Sequence, residues 1–344
     1  MTTPASDARR EIGVGVIGLG VMGRTHVEAW NAAAKSGNAC RLVAVADSHA
    51  ARLTGRVAVE GNLQAPASDE LLFDPRVVRT GTEADRVLED PDVELVSICT
   101  PTDTHVDLAR RALRAGKHVL LEKPVSLDPI AIDALAGEAE RARRICMPAM
   151  CMRFWPGWSW LHDAVRDQRY GAVRSAVFQR CASPPAWNPG FYADPARSGG
   201  ALFDLHVHDA DLAHWLFGAP DEIVATGSID HVTALYRYAR GPKHVVLEGG
   251  WDHAPGFPFR MRFVVAFERA TAEFDVRREP KFELSLDGRV ETPVLDAHSG
   301  YDGEARAVLD AVRSGDASGL PSLRESARVT RSILSYGIAG ATSG

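Results

Sequence analysis

The sequence predicts an α/β protein in two parts: an N-terminal doubly wound parallel sheet, then an α+β unit built on a large, mainly antiparallel open sheet. Three observations predict it. Near-continuous apolar runs alternate with helix-like segments as far as Met150, a glycine-rich turn sits at the first strand-to-helix junction, and from Ala172 the pattern changes to a series of alternating strands.

The first run opens at Ile12 and passes through Gly18-Leu19-Gly20-Val21-Met22-Gly23 into a helix that reaches Ala34. In that order the segment is a phosphate-binding turn. The first glycine makes the bend, the second lets backbone N–H groups approach a pyrophosphate, and the third lets the helix pack close on the strand. The helix N-terminus adds free donors and positive dipole. The same spacing fits at Gly13, Gly15 and Gly18, but that register leaves only Ile12 of the strand and puts glycines where a helix should begin. A second run, Arg41 to Ala46, ends in Asp47, where an acid binds adenosine ribose hydroxyls. A carboxylate there occupies the place of a 2′-phosphate, and Ser48 and His49 follow it rather than an arginine, so NAD is expected over NADP. Arg52 is the nearest cation.

Gly61 to Asp74 reads as a loop insertion and Val77-Val78 as a short strand. Leu95 to Cys99 is the next clear run, and its exit, Thr100-Pro101-Thr102, is expected to cap a helix that runs to Ala115 before Gly116 ends it. Strand His118 to Leu121, helix Pro129 to Arg143 and strand Ile145 to Met150 complete a sheet whose apolar strands imply cover on both faces. Residues 1–149 are expected to form the dinucleotide-binding domain and residues 150–344 the substrate domain. In the second part the strands are Ala172 to Arg180, Val224 to Ile229, Ala234 to Tyr238, Val245 to Trp251, Arg260 to Glu268, Thr271 to Asp275 and Lys281 to Leu286. Gly199 to Phe217 reads as one helix between the first two, and helices near Gly303 to Arg313 and Ser322 to Tyr336 close the chain.

Composition narrows the function classes. With 344 residues, 45% hydrophobic and 24% charged, the chain fits about two globular domains. No apolar run approaches the roughly 20 residues of a membrane span, and Met1 to Arg10 lacks the apolar stretch of a signal peptide, so a cytoplasmic location without a membrane partner is expected. The five cysteines are odd in number, scattered and free of CxxC pairs, which argues against a disulfide framework and a structural zinc; no metal is expected. A net charge of −6, with no basic cluster beyond Arg141 to Arg144, leaves no electrostatic footprint for nucleic acid.

Glu122-Lys123-Pro124 follows the His118 to Leu121 strand, at the sheet end where a doubly wound fold places its ligand. Lys123 there can reach a nicotinamide; the plainer alternative is an exposed lysine in a turn. Thr100-Pro101 ends the neighbouring strand at the same level. In the second part Asp204, His208 and Asp211 stand at i, i+4 and i+7, on one helix face that turns either to water or to a site. His206 lies roughly 200° around from Asp204, a poor partner for His208 in holding a metal. Trp155, Trp158, Trp160 and Trp187 fall in one region with Arg153, Asn188, Phe191 and Tyr192, a mixture that suits a polyhydroxylated ring or, more plainly, packing between domains.

Together these residues resemble the Gfo/Idh/MocA oxidoreductase family, the group of glucose-fructose oxidoreductase and inositol dehydrogenase. GVIGLGVMGRTH at Gly15 to His26, ICTPT at Ile98 to Thr102 with His105, EKP at Glu122 to Pro124, MRF at Met152 to Phe154 and the GGALFDLHVHDAD segment from Gly199 fall in family order over nearly the whole chain. The resemblance implies a Rossmann domain, an NAD cofactor, a homo-oligomer, Lys123, Asp204 and His208 as the catalytic trio, and Thr100 and Pro101 on the nicotinamide side, with Thr102, His105 and Glu122 beside them. Arg153, Trp155, Trp158 and Trp187, with Asp204 and His208, are the expected substrate contacts. His206 and Met152 depart from the residues many members carry, glycine and arginine. The expected activity is NAD-dependent oxidation of a ring hydroxyl on a sugar, sugar derivative or cyclitol. An NAD-binding regulator and a glycosidase that oxidises its sugar transiently are the alternatives.

Overall fold

The computed structural model describes residues 10–56 and 71–338. Six strands, β1 (Ile12–Ile17), β2 (Cys40–Ala46), β3 (Arg79–Gly81), β4 (Leu95–Ile98), β5 (His118–Leu121) and β6 (Cys146–Pro148), form a parallel sheet in the order β3-β2-β1-β4-β5-β6. In this doubly wound order the chain reverses its direction of growth between β1 and β4, which opens a crevice at the carboxyl ends of those strands. Helices α1 (Val21–Lys35), α2 (Asp85–Leu88), α3 (His105–Arg114) and α4 (Pro129–Ala142) connect them. One face of the sheet buries Val43, Val96 and Ile98 under Leu108, Ala112 and Leu135, and the other buries Val14, Val16 and Leu120 with Val27 and Trp30.

Two local expectations need correction here. The strand after the loop is Arg79–Gly81, because the amides of Val77 and Val78 both donate to the Asp74 carbonyl and close a turn instead of pairing. Of the predicted insertion, residues 61–70 lie outside the described residues. Thr100 to Thr102 caps no helix with a side chain: residues Thr102–Thr104 make one tight turn, closed by the Thr104 amide and hydroxyl on the Pro101 carbonyl, and α3 starts only at His105.

After a turn at Cys151–Phe154 and α5 (Pro156–Arg166), the second sheet begins. Its eight strands are β7 (Val173–Cys181), β8 (Glu222–Gly227), β9 (His231–Arg237), β10 (His244–Gly250), β11 (Arg260–Phe267), β12 (Ala270–Asp275), β13 (Phe282–Leu286) and β14 (Arg289–Glu291), in the order β14-β13-β12-β11-β7-β10-β9-β8. Only β7 and β10 pair in parallel. The short, exposed β14 has no counterpart among the strands read from sequence.

Between β7 and β8 lie α6 (Pro189–Tyr192), α7 (Pro195–Ser198), α8 (Gly200–Asp204) and α9 (His206–Phe217). The single helix expected over Gly199 to Phe217 is therefore two. The His208 amide bonds the Leu205 carbonyl three residues back, a tightened turn that shifts the helical register there. The closing helices α10 (Gly300–Ser314) and α11 (Leu323–Leu334), each starting in a serine capping box, pack back onto α1 and α4. Ala305, Val308 and Leu309 of α10 complete the core beside β1. Among the described residues no helix is long and apolar enough to cross a membrane.

Candidate active site

At the end of β1, Gly18 turns the chain at φ 88°, where a Cβ would meet the Cys99 carbonyl oxygen at 2.6 Å. A Cβ on Gly23 would lie 1.7 Å from the Gly18 oxygen, so α1 comes this close to the turn only because the residue is bare. Gly20 has no atom within 4 Å of its Cβ direction; that space opens to the crevice. The start of α1 carries no acidic residue to repel an anion. Asp47, at the end of β2, is 6% exposed and fixed against this turn. Its Oδ2 accepts from the Leu19 amide at 2.6 Å and from Arg52 at 3.2 Å, and its Oδ1 from the His49 amide at 2.8 Å.

The crevice is a cleft of about 820 Å³. Its lining brings together Gly18, Gly20, Val21, Met22 and Asp47 of the first turn, Thr100, Pro101, Thr102 and His105 after β4, Glu122 and Lys123 after β5, and Trp187, Asn188, Phe191, Tyr192 and Asp204 of the second part. The His105 ring is buried and braces this lining, with Nδ1 2.9 Å from the Pro124 carbonyl and Nε2 2.8 Å from that of Thr100. Burial, outweighing those two carbonyls, holds its pKa below the ordinary value.

Lys123, just past β5, reaches across to α8 of the second part. Its bond to Pro124 is cis, and its Nζ donates to Asp204 twice, to the backbone oxygen at 2.8 Å and to Oδ1 at 2.9 Å. Burial favours the neutral amine, but the Asp204 and Glu122 charges outweigh it and raise the pKa, so the group is an ammonium. Glu122 is held from below. His26 Nε2 lies 2.9 Å from its Oε1, and the Lys123 amide donates to its Oε2 at 3.0 Å. Burial would raise the Glu122 pKa; the His26 contact and the Lys123 charge leave it below the ordinary value. His26 in turn reaches the Ser97 hydroxyl, which accepts from Trp30 Nε1. Sequence reading did not find this relay, although His26 stands in the apolar stripe of α1 with Gly23, Val27 and Trp30, where a polar group needs a partner. His208, 8% exposed, sits in the first turn of α9; burial, then the Lys123 and Arg180 charges, push its pKa well below the ordinary value, and its Nδ1 has no partner among the described residues.

Two family models match the chain: "Oxidoreductase family, NAD-binding Rossmann fold" over residues 12–150, and "GFO/IDH/MocA C-terminal domain" over residues 158–273. The chain belongs to the Gfo/Idh/MocA oxidoreductase family. Among similar proteins, inositol 2-dehydrogenase of Rhizobium meliloti is 29% identical over 321 residues, covering 88% of each chain. UDP-N-acetylglucosamine 3-dehydrogenase of Acidithiobacillus ferrooxidans is 32% identical over 215 residues, 62% of this chain and 57% of its own. The solved structure of levoglucosan dehydrogenase in complex with NADH and levoglucosan superposes with a TM-score of 0.77 over 95% of this chain and 97% of its own; at 19% identity that is a likeness of fold.

In this Gfo/Idh/MocA chain several residues expected at the site lie elsewhere. Arg153 is 5% exposed and fully engaged, with Nε and Nη2 on Asp211 at 2.8 and 2.6 Å and Nη1 on Glu325 at 3.1 Å. It ties α9 to α11 and does not face the cleft. Asp211 therefore belongs to that network and not to the face of Asp204. Trp158 is core, edge-on to Phe263 and Phe274, and Trp155 packs edge-on to Tyr301 against Gly300. Trp187 alone of the three lines the cleft. His206 is buried, its Nε2 2.8 Å from the Tyr336 hydroxyl, and burial pushes its pKa down to about 3.

Proposed function

We propose that the chain is an NAD-preferring dehydrogenase that moves a hydride between the nicotinamide and a ring carbon of a sugar, sugar derivative or cyclitol. The observation that carries this reading is the Lys123 ammonium, held by Asp204 in the lining of the same cleft as the glycine turn. The activities of the relatives, an inositol dehydrogenase and a nucleotide-sugar dehydrogenase, support the substrate class, and Asp47 supports NAD.

Bound NAD supplies the hydride acceptor. The turn from Gly18 to Gly23 and Asp47 would hold its pyrophosphate and adenosine ribose, and Thr100, Pro101, Thr102, His105 and Glu122 its nicotinamide side. Lys123 directs a proton at the substrate oxygen and stabilises the negative charge that grows there as the carbon loses hydride. Asp204 keeps Lys123 charged and aimed. His208, with a bare Nδ1 and a cation disfavoured by burial and by the Lys123 and Arg180 charges, would take the hydroxyl proton and release it to solvent as the carbon gives up its hydride. Trp187 offers an aromatic face to the ring, beside Asn188 and Tyr192. In this reading residues 1–149 bind the cofactor and 150–344 the substrate.

The test is a screen of NAD reduction against inositols, aldoses, sugar acids and nucleotide sugars, with the matching ketones and NADH for the reverse direction. Net NADH from one class supports the reading. Cleavage of a glycoside with retained NAD and no net NADH replaces it with transient oxidation, and NAD binding without turnover in either direction replaces it with a regulator.

A further inference from the structure

Away from the cleft, side chains of ligating type converge where β7, β9 and β10 meet: Cys181, His231, Glu248, Asp252 and His253. The backbone makes room for them. Gly250 pairs with Cys181 on one side and His231 on the other, and a Cβ on it would lie 2.6 Å from His231 Cγ, so the imidazole rests over a bare residue. His231 Nδ1 is 2.7 Å from Asp252 Oδ1. His253 Nδ1 approaches the same oxygen to 3.5 Å, yet this buried atom has no hydrogen-bond partner among the described residues. Its ring is stacked on Phe257 at 4.0 Å and lies 27° from the plane of His231. On the far edge of His231, Nε2 faces Glu248 Oε1 at 3.3 Å, and the other Glu248 oxygen accepts from Gln179 at 2.6 Å. A carboxylate on the second nitrogen, itself hydrogen-bonded, is what fixes the tautomer and tilt of a metal-bound imidazole.

We propose that His231 Nδ1, Asp252 Oδ1 and His253 Nδ1 form a site for a divalent transition metal of the zinc class, oriented by Glu248 behind His231. Two imidazole nitrogens and one carboxylate oxygen form a donor set that zinc accepts, with cobalt and nickel as close substitutes. The donor atoms lie within 4.8 Å of one another. Zinc bonds of about 2.1 Å set tetrahedral ligands roughly 3.4 Å apart, so the hydrogen-bonded His231–Asp252 pair opens from 2.7 Å as the ion replaces its proton, while His253 Nδ1 already stands 3.5 Å from Asp252 Oδ1. Asp252 is half exposed, so a solvent molecule reaches the fourth position. Cys181 groups with His231 and Glu248 on the other side of the ring and is not a ligand in this assignment. The ligands are spread from 231 to 253 on a strand start and a strand exit, without a short-spaced motif, so a search for CxxC pairs in sequence passes over them. None of them lines the cleft.

The test is titration of the whole protein with cobalt(II), followed by displacement with zinc(II). One equivalent should bind with a visible ligand-field band and without a thiolate charge-transfer band. Glu248→Gln should weaken binding roughly 10- to 100-fold, His253→Ala and Asp252→Asn should weaken it further, and Cys181→Ser should leave it unchanged. Metal-free melting curves verify that each variant is folded, and the exposed Asp252→Asn serves where a histidine variant is not. Absence of binding overturns the site, as does binding that His253→Ala and Asp252→Asn leave intact, which marks an adventitious ion. A charge-transfer band that vanishes in Cys181→Ser overturns the ligand assignment in favour of the cysteine grouping.

Discussion

Lys123 keeps its charge in a buried place only because Asp204 and Glu122 flank it, and that dependence shows how far single residues could be read. Lys123 and Asp204 were legible because each sits at an element end that the fold aims at the crevice. Arg153 was not: its partners stand 58 and 172 positions away, and nothing local distinguishes an arginine bound for a buried ion network from one that meets a ligand. The tryptophans divide in the same way. Trp187→Ala should raise the KM for substrate by about 5- to 150-fold, the equivalent of roughly 1–3 kcal/mol, with little change in NAD affinity. Trp158→Ala should instead destabilise the fold by about 3–5 kcal/mol, since it empties a core position that is 1% exposed. Steady-state kinetics and denaturant melts of both variants check the pair, and a stability loss at Trp187 with an unchanged KM would return it to packing. Asp47 bears on the cofactor: NAD should bind more tightly than NADP, and Asp47→Ser should narrow the difference. Calorimetric titration of both nucleotides decides this, and equal affinities in the unaltered protein would contradict the role given to its carboxylate.

At the scale of elements, the glycine turn is where sequence and structure agree most closely, because each glycine answers to a different neighbour. Gly20→Ala should leave the melting temperature almost unchanged, there being nothing within 4 Å for the methyl to strike, while NAD affinity falls as the methyl enters the crevice. Gly23→Ala should unsettle the fold itself, since its Cβ would collide with the Gly18 carbonyl at 1.7 Å. Melting curves and NAD titrations of the two variants separate the roles; a strongly destabilised Gly20→Ala would refute the open-space reading. Where sequence misled, hydrogen bonds between neighbours overrode apolar pattern. Val77 and Val78 have strand-forming side chains, but their amides are taken by Asp74, and the helix through Leu205 looked continuous because a tightened turn leaves the spacing of apolar residues almost intact. His208 and Asp204 therefore belong to adjacent helices, and Asp211 is turned toward Arg153.

For the whole molecule, α10 and α11 return from the second sheet to bury Ala305, Leu309 and Leu323 against the first layer, a long-range packing that no local pattern announces. The two layers enclose several neutral histidines. Burial lowers the pKa of His206 to about 3 and of His118 and His214 to about 4, and depresses His105, His162 and His208. In the unfolded chain each would take a proton near pH 6.5, while the folded protein resists it. The unfolded state then binds more protons, so stability is intact above about pH 6.5 and falls as the pH drops toward 4. His206 alone should cost roughly 2 kcal/mol at pH 5, and denaturant melts between pH 7.5 and about 4.5 should follow that slope; a stability that is flat or rises on acidification would show that these rings protonate within the fold. The proposed function meets its most direct test at Lys123, on the panel substrate that proves active. Lys123→Ala should lower kcat by roughly 10²- to 10⁴-fold while NAD still binds within a few-fold of the unaltered affinity. A Lys123→Ala protein that turns over at a near-normal kcat would contradict the mechanism at its centre.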